Sequence, residues 1–196
     1  MNDNMTEKTR MDKAYNPKKG VSPFKQKLRQ LRWRIVNITI FRYSPFFCHG
    51  FRRFLLRCFG AKIAKTATVG RLADIEAPWL LTMGERSMIC NHAWVMCYAP
   101  VIIGEQSLIG EYARVITGSH LSNSSSYQGV ASSVIIGNNC WIASCAIVAS
   151  GGRRKLTIGD GAIIGVGAVV LLSVKSMAIV VGNPAEQIAE RDFKRD

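Results

Sequence analysis

Residues 101–119 read VIIGEQSLIGEYARVITGS, and the spacing of their apolar residues decides the fold. Ile103, Ile109 and Val115 return every six positions, and a small residue (Ser107, Ala113, Ser119) stands four places after each. The pattern extends both ways along the chain. Ile63, Val69 and Ile75 form one set, and Met83, Ile89 and Val95 the next. Beyond the quoted stretch come Ile136, Ile142 and Val148, then Ile158, Ile164 and Val170. A period of six matches neither an amphipathic helix, with about 3.6 residues per turn, nor a strand that alternates every second residue. It matches a triangular coil of about eighteen residues, made of three short strands and three turns. The apolar residue of each unit points into the prism, and the residue after it must be small because the chain turns there. One coil cannot bury its own face, so several must stack. The prediction is an all-β parallel β-helix of five coils over residues 63–188.

The steps from set to set are twenty, twenty, thirty-three and twenty-two residues. The long step predicts an ejected loop over residues 121–133, LSNSSSYQGVASS, whose polar, Ser-rich composition suits solvent. The last step places a smaller extrusion at Gly151-Gly152-Arg153-Arg154-Lys155. Loops thrown out of a rigid scaffold are where binding and catalysis tend to sit.

The chain has 196 residues and a formal net charge of +13. Residues 1–62 hold fifteen Lys/Arg against three Asp/Glu, whereas residues 63–196 hold eleven against ten. The basic excess therefore belongs to an N-terminal arm, and no groove-reading motif accompanies it, so nucleic acid is not an expected partner. Residues 1–20 are polar and predict a disordered tail. Residues 21–62 predict a basic helical arm. Ser22 suits an N-cap and Pro23 the first helical position of a helix over residues 22–42. Phe24, Leu28, Leu31, Ile35 and Ile38 form its stripe. A second helix starts at Ser44-Pro45, carries Phe47, Phe51, Phe54, Leu55 and Cys58 on one face, and ends at Gly60. Two readings of the arm stay open. In one, both helices pack on the solenoid with basic outer faces. In the other, the arm lies on an anionic membrane surface. Residues 189–196 are read as a C-terminal tail.

The six cysteines contain no C-x-x-C pair, and the first twenty residues hold no apolar leader. The expectation is a cytoplasmic protein with reduced thiols used as small core residues and no disulfide framework, peripheral at most to the inner membrane face.

Thr117-Gly118-Ser119-His120 precedes the ejected loop, Cys140-Trp141-Ile142 follows it, and Gly182-Asn183-Pro184-Ala185 closes the repeat. With the six-residue period, these residues resemble the hexapeptide-repeat acyltransferases, most closely the polysaccharide O-acetyltransferases of the colanic-acid type. The resemblance implies a left-handed β-helix, a homotrimer with its sites between chains, acetyl-CoA as acyl donor and a sugar as acceptor, with no metal. It implies that His120 is the catalytic base, and imidazole is the side chain suited to take a hydroxyl proton near neutral pH. It marks Asn91 and His92 as acceptor contacts, and Trp141, Ser144 and Val166 as walls of the cofactor groove. The chain departs from the family at several places. Leu121 stands where relatives often carry a carboxylate, so either a backbone carbonyl orients the base or activity is weak or lost. Leu171-Leu172 replace Thr-Lys, and Glu186 and Ala189 replace basic residues, so Arg153, Arg154 and Lys155, or Arg191, become the candidates for the cofactor phosphates.

The function expected is an acetyl-CoA-dependent O-acetyltransferase of exopolysaccharide or lipid-linked oligosaccharide biosynthesis, working by direct transfer. Two other classes compete. A zinc carbonic anhydrase on the same fold needs three clustered histidines, and His49, His92 and His120 lie far apart in sequence. A non-catalytic assembly module with a decayed coenzyme A site would account for the missing cations.

Overall fold

The computed structural model describes residues 23–121, 126–152 and 154–192. The expected tail at 1–20, the Ser22 cap, residues 122–125 of the loop, Arg153 and residues 193–196 lie outside these.

Strands of two to four residues line a three-sided prism, and each side is a parallel sheet. The first sheet stacks Lys62–Ile63, Leu81–Met83, Val101–Ile103, Val134–Ile136 and Leu156–Ile158. The third stacks Asp74–Ile75, Trp94–Met96, Arg114–Ile116, Ile147–Ala149 and Val169–Val170. The second runs from Thr68–Val69 through Met88–Ile89, Leu108–Ile109, Trp141–Ile142 and Ile163–Ile164 to Ala178–Val181. The five sets read from the sequence are the five coils. Ile63, Met83, Ile103, Ile136 and Ile158 are register partners from coil to coil, and all are buried. This column of like residues is the core.

The small residues fill the corners. Ala67, Ser87, Ser107, Cys140 and Ala162 are buried along one edge, and Ala73, Ala93, Ala113, Ala146 and Ala168 along the next. From the second coil onward, each coil turns through a residue of positive φ at each of two corners. Arg86, Gln106, Asn139 and Gly161 stack at the corner between the first and second sheets, and His92, Tyr112, Cys145 and Gly167 between the second and third. Side chains of one coil satisfy backbone donors of the coil below: Asn138 Oδ1 accepts from Glu105 N at 2.8 Å, and Asp160 Oδ1 from Asn138 N at 2.8 Å.

The arm closes the lower end of the prism. Helix α1 spans Pro23–Val36 and runs into a π-helical turn, Asn37–Phe41; helix α2 spans His49–Cys58. The first coil has carbonyls with no coil beneath them, and arm side chains donate to these. Trp33 Nε1 bonds Ile75 O at 2.5 Å, Arg52 Nε bonds Val69 O at 2.7 Å, Arg53 bonds Ala67 O at 2.8 Å and Arg57 Nε bonds Ile63 O at 2.9 Å. Trp33, Phe41 and Leu56 extend the apolar column downward.

This docking corrects the picture of helices packed through their apolar stripes with basic faces outward. Phe24, Leu31, Ile35 and Ile38 are exposed, as are Phe47, Phe51 and Phe54, while Arg52 is fully buried. An end cap for an open sheet needs hydrogen-bond donors, so the guanidinium face of α2 turns inward.

At the upper end Glu186–Glu190 pairs antiparallel with Ala178–Val181, so the boundary drawn at residue 188 falls inside a strand. The cysteines divide. Cys97 and Cys140 are core residues, and burial pushes the Cys97 thiol up to about 12, but Cys58 and Cys145 are exposed. The expectation of core packing fails for these two because each sits on an outward turn of its element.

Candidate active site

The third coil does not close directly onto the fourth. After Thr117 the chain leaves the corner between the third and first sheets as a hairpin, Gly118–His120 against Gly129–Ala131, with His120 opposite Gly129. Its base is fixed by buried hydroxyls. Thr117 Oγ1 donates to Met96 O at 2.7 Å and accepts from Tyr98 N at 2.8 Å and Ala99 N at 3.0 Å. Ser132 Oγ donates to Arg154 O at 2.7 Å, and Ser150 Oγ to Ser132 O at 3.0 Å. Gly118 is required where it stands: a Cβ there would lie 2.7 Å from Tyr98 Cδ2.

His120 is held at the exposed end of this hairpin. Its Nδ1 lies 2.6 Å from the carbonyl of Tyr127. A carbonyl only accepts, so Nδ1 carries the proton of the neutral ring and Nε2 keeps its lone pair. Leu121 N donates to Gln128 O at 2.9 Å and ties the strand end to the same loop. A backbone carbonyl thus orients the His120 ring. The arrangement presents an oriented imidazole, able to take a proton at Nε2; Tyr98 stands beside Gly118 at the hairpin's base, and the Tyr98 and Tyr127 side chains are exposed. The sequence reading did not single out these tyrosines. The signal for Tyr98 was its place about one coil length before Thr117, and for Tyr127 its being an aromatic in a serine-rich loop.

The other expected residues fall elsewhere. Asn91 and His92 occupy the corner between the second and third sheets, not the hairpin's corner. The third-sheet strands, on the order of 10 Å long, separate the two corners within one chain. Asn91 Oδ1 accepts from Leu72 N at 3.2 Å, and the His92 ring stacks on Tyr112 with centroids 4.7 Å apart. Ser144 and Val166 stand above Asn91 in the same column, and Val166 is 75% exposed. At Gly167, beside them, an added Cβ would meet nothing within 4 Å. Trp141 faces outward from the second sheet between Leu108 and Ile163, half exposed. Arg154 and Lys155 are exposed on the coil above His120, on the hairpin's side of the prism. Arg191 is used structurally, donating to Asn139 O at 2.8 Å and Gly161 O at 3.2 Å. One chain therefore divides the expected groups between two corners. His49, in the arm, accepts from Arg52 Nη2 at 2.9 Å, so the three histidines sit in three separate places.

No family model matches the chain. A curated relative does: over 159 residues the chain is 36% identical to the colanic acid biosynthesis acetyltransferase WcaF of Escherichia coli K12, covering 81% of this chain and 85% of the relative. The chain belongs to the colanic-acid type of hexapeptide-repeat acetyltransferases. Its fold recurs in solved structures. A maltose O-acetyltransferase from Clostridium difficile 630 superposes with a TM-score of 0.78 at 21% identity, over 95% of this chain and 97% of that one. The hexapeptide-repeat acetyltransferase VCA0836 of Vibrio cholerae, complexed with acetyl coenzyme A, gives 0.76 at 19% identity over 95% and 99%. The prism is the left-handed parallel β-helix of this family, and the protein is an acetyltransferase rather than an assembly module.

Proposed function

We propose that this acetyltransferase moves an acetyl group from acetyl-CoA to a sugar hydroxyl, in the biosynthesis of an exopolysaccharide or a lipid-linked oligosaccharide. The observation that carries the proposal is the Nδ1–Tyr127 bond, which fixes the His120 tautomer with Nε2 free to act as base. The WcaF relative supports the polysaccharide setting by its name, and the acetyl-CoA complex of VCA0836 supports the donor.

The residues present fit such a donor. Val166 and Gly167 leave an open apolar edge suited to a pantetheine arm, and Arg154 and Lys155 of a neighbouring copy, on its His120 side, supply exposed cations for phosphates. Bound there, acetyl-CoA supplies a thioester carbonyl. His120 Nε2 takes the proton of the acceptor hydroxyl as that oxygen bonds the acetyl carbon. The carbon–sulfur bond breaks, and the same nitrogen returns the proton to the departing sulfur. Transfer is direct and uses no acyl-enzyme, so no cysteine is consumed. His120 at one corner and the Asn91–Ser144–Val166 column at another meet only between copies of the chain, which supports a homotrimer with its sites at the interfaces. Six unpaired cysteines suit the reducing cytoplasm.

Calorimetry with acetyl-CoA tests the donor site. Saturable binding to the wild type is expected, weakened by Arg154→Ala/Lys155→Ala and abolished by Val166→Trp. No binding at millimolar ligand would contradict the reading.

A further inference from the structure

The arm exposes what a soluble end cap would hide. Taking about 100° per residue, Phe24, Leu28, Leu31 and Ile35 fall within a stripe about 60° wide on α1. Trp33, the residue that docks into the solenoid, stands about 160° round from Leu31 and Ile35. The stripe thus points directly away from the protein, and Phe24 is 73% exposed. Lys25 and Arg32 flank it on one side, Lys27 and Arg34 on the other, and all four are exposed. Helix α2 continues the face. Its arginines dock on the solenoid carbonyls, and Phe51 and Phe54 turn outward. Between the helices Tyr43, Phe46 and Phe47 are exposed, with the Phe46 and Phe47 rings packed edge to face at 5.3 Å.

Residues 23–62 contain ten Lys/Arg and no Asp or Glu. We propose that the outward face of this arm is a docking site for an anionic membrane surface. An apolar stripe flanked on both sides by long cationic side chains lets the stripe enter the acyl boundary while the charges reach the headgroups. No helix among the described residues is long and apolar enough to cross a membrane, so the arm lies on the bilayer. A second copy of the chain fits the face poorly, because pairing it with itself would bring two carboxylate-free basic surfaces together. The preceding residues 1–22 are mostly polar or charged and offer little to cover phenylalanines. The proposal goes beyond the transferase reading and does not depend on it.

Co-sedimentation with phosphatidylcholine vesicles, with and without phosphatidylglycerol, tests this on the full chain. The wild type sediments with the anionic vesicles at low salt and is released by high salt. Phe46→Ser/Phe47→Ser/Phe54→Ser lowers partitioning by about tenfold or more. Glutamine at Lys25, Lys27, Arg32 and Arg34 lowers it by about fivefold for each cation that reaches the headgroups. Ile188→Ser, an exposed apolar residue on the strand at the other end of the solenoid, leaves it unchanged. Each variant unfolds at the wild-type temperature, since every side chain replaced is exposed. Absence of sedimentation with anionic vesicles, or wild-type partitioning by the triple serine variant, would overturn the proposal. So would vesicle-independent self-association that the triple variant abolishes, which would make a second copy the occupant.

Discussion

His120 is one exposed imidazole, and what distinguishes it is its single bond to a carbonyl. His120→Ala removes the proposed base and touches no core residue, so transfer is expected to fall by about 10²–10⁴-fold with the fold retained; steady-state turnover beside circular dichroism checks both. Gly118 sets where that ring stands. Gly118→Ala drives a methyl into Tyr98, shifts the hairpin and lowers turnover more than it lowers the melting temperature. A third residue reports on the core. Burial pushes the Glu76 carboxyl up, against the bond that Trp94 Nε1 donates to it at 3.1 Å. A raised carboxyl pKa means the native chain holds the proton more tightly than the unfolded chain. The stability this gives is present at acid pH and is lost as pH rises from the ordinary carboxylate value through the raised one. Glu76→Gln keeps an acceptor for Trp94, so it raises the melting temperature at neutral pH and has no such benefit in acid; melting curves across pH decide. His120 was legible in the sequence because the long step between coils puts it at the mouth of the ejected loop. The partner of its Nδ1 was not, because a carbonyl seven residues on depends on how the loop folds back.

At the scale of elements, the strands were legible and the helices only half so. A short strand in a stacked coil has one inward residue, and period six announces it. Helices α1 and α2 are apolar on an outward face as well as a docked one, and pattern alone does not say which face meets the protein. Trp33 and Arg52 decide it, through donors that the open first coil requires. Arg52 is the keystone of α2. Besides Val69 O it donates to Ser44 Oγ at 2.9 Å, Pro45 O at 2.8 Å and Phe46 O at 2.7 Å. Arg52→Met leaves these acceptors, of which Val69 O and Ser44 Oγ are buried, without its donors and costs about 3 kcal/mol. Denaturant melts of the variant check this, and an unchanged midpoint would mean that the cap contributes little to stability.

At the scale of the molecule, the solenoid places His120 and the Asn91–Ser144–Val166 column on different corners of one prism. Asn91 and His92 were expected as acceptor contacts, and the sequence could not tell their corner from that of His120, since both recur with the same coil length. The solenoid's lower end presents phenylalanines and cations, and a trimer would bring three such faces together with the avidity that implies. The upper end is closed by Glu186–Glu190 and Leu171-Leu172 stand exposed near it, beside a cavity of about 500 Å³ lined by Val169, Val174, Pro184 and Ala185 among others. The departures from the family at these positions leave the fold intact, since none of them lies in the inward column.

The most direct test of the account is acetyl transfer from acetyl-CoA to a panel of sugar acceptors, measured for the wild type and His120→Ala side by side across pH. Turnover on at least one sugar is expected of the wild type, and it is nearly abolished in the variant at every pH. Equal turnover by the two proteins would contradict the assignment of His120 as the base.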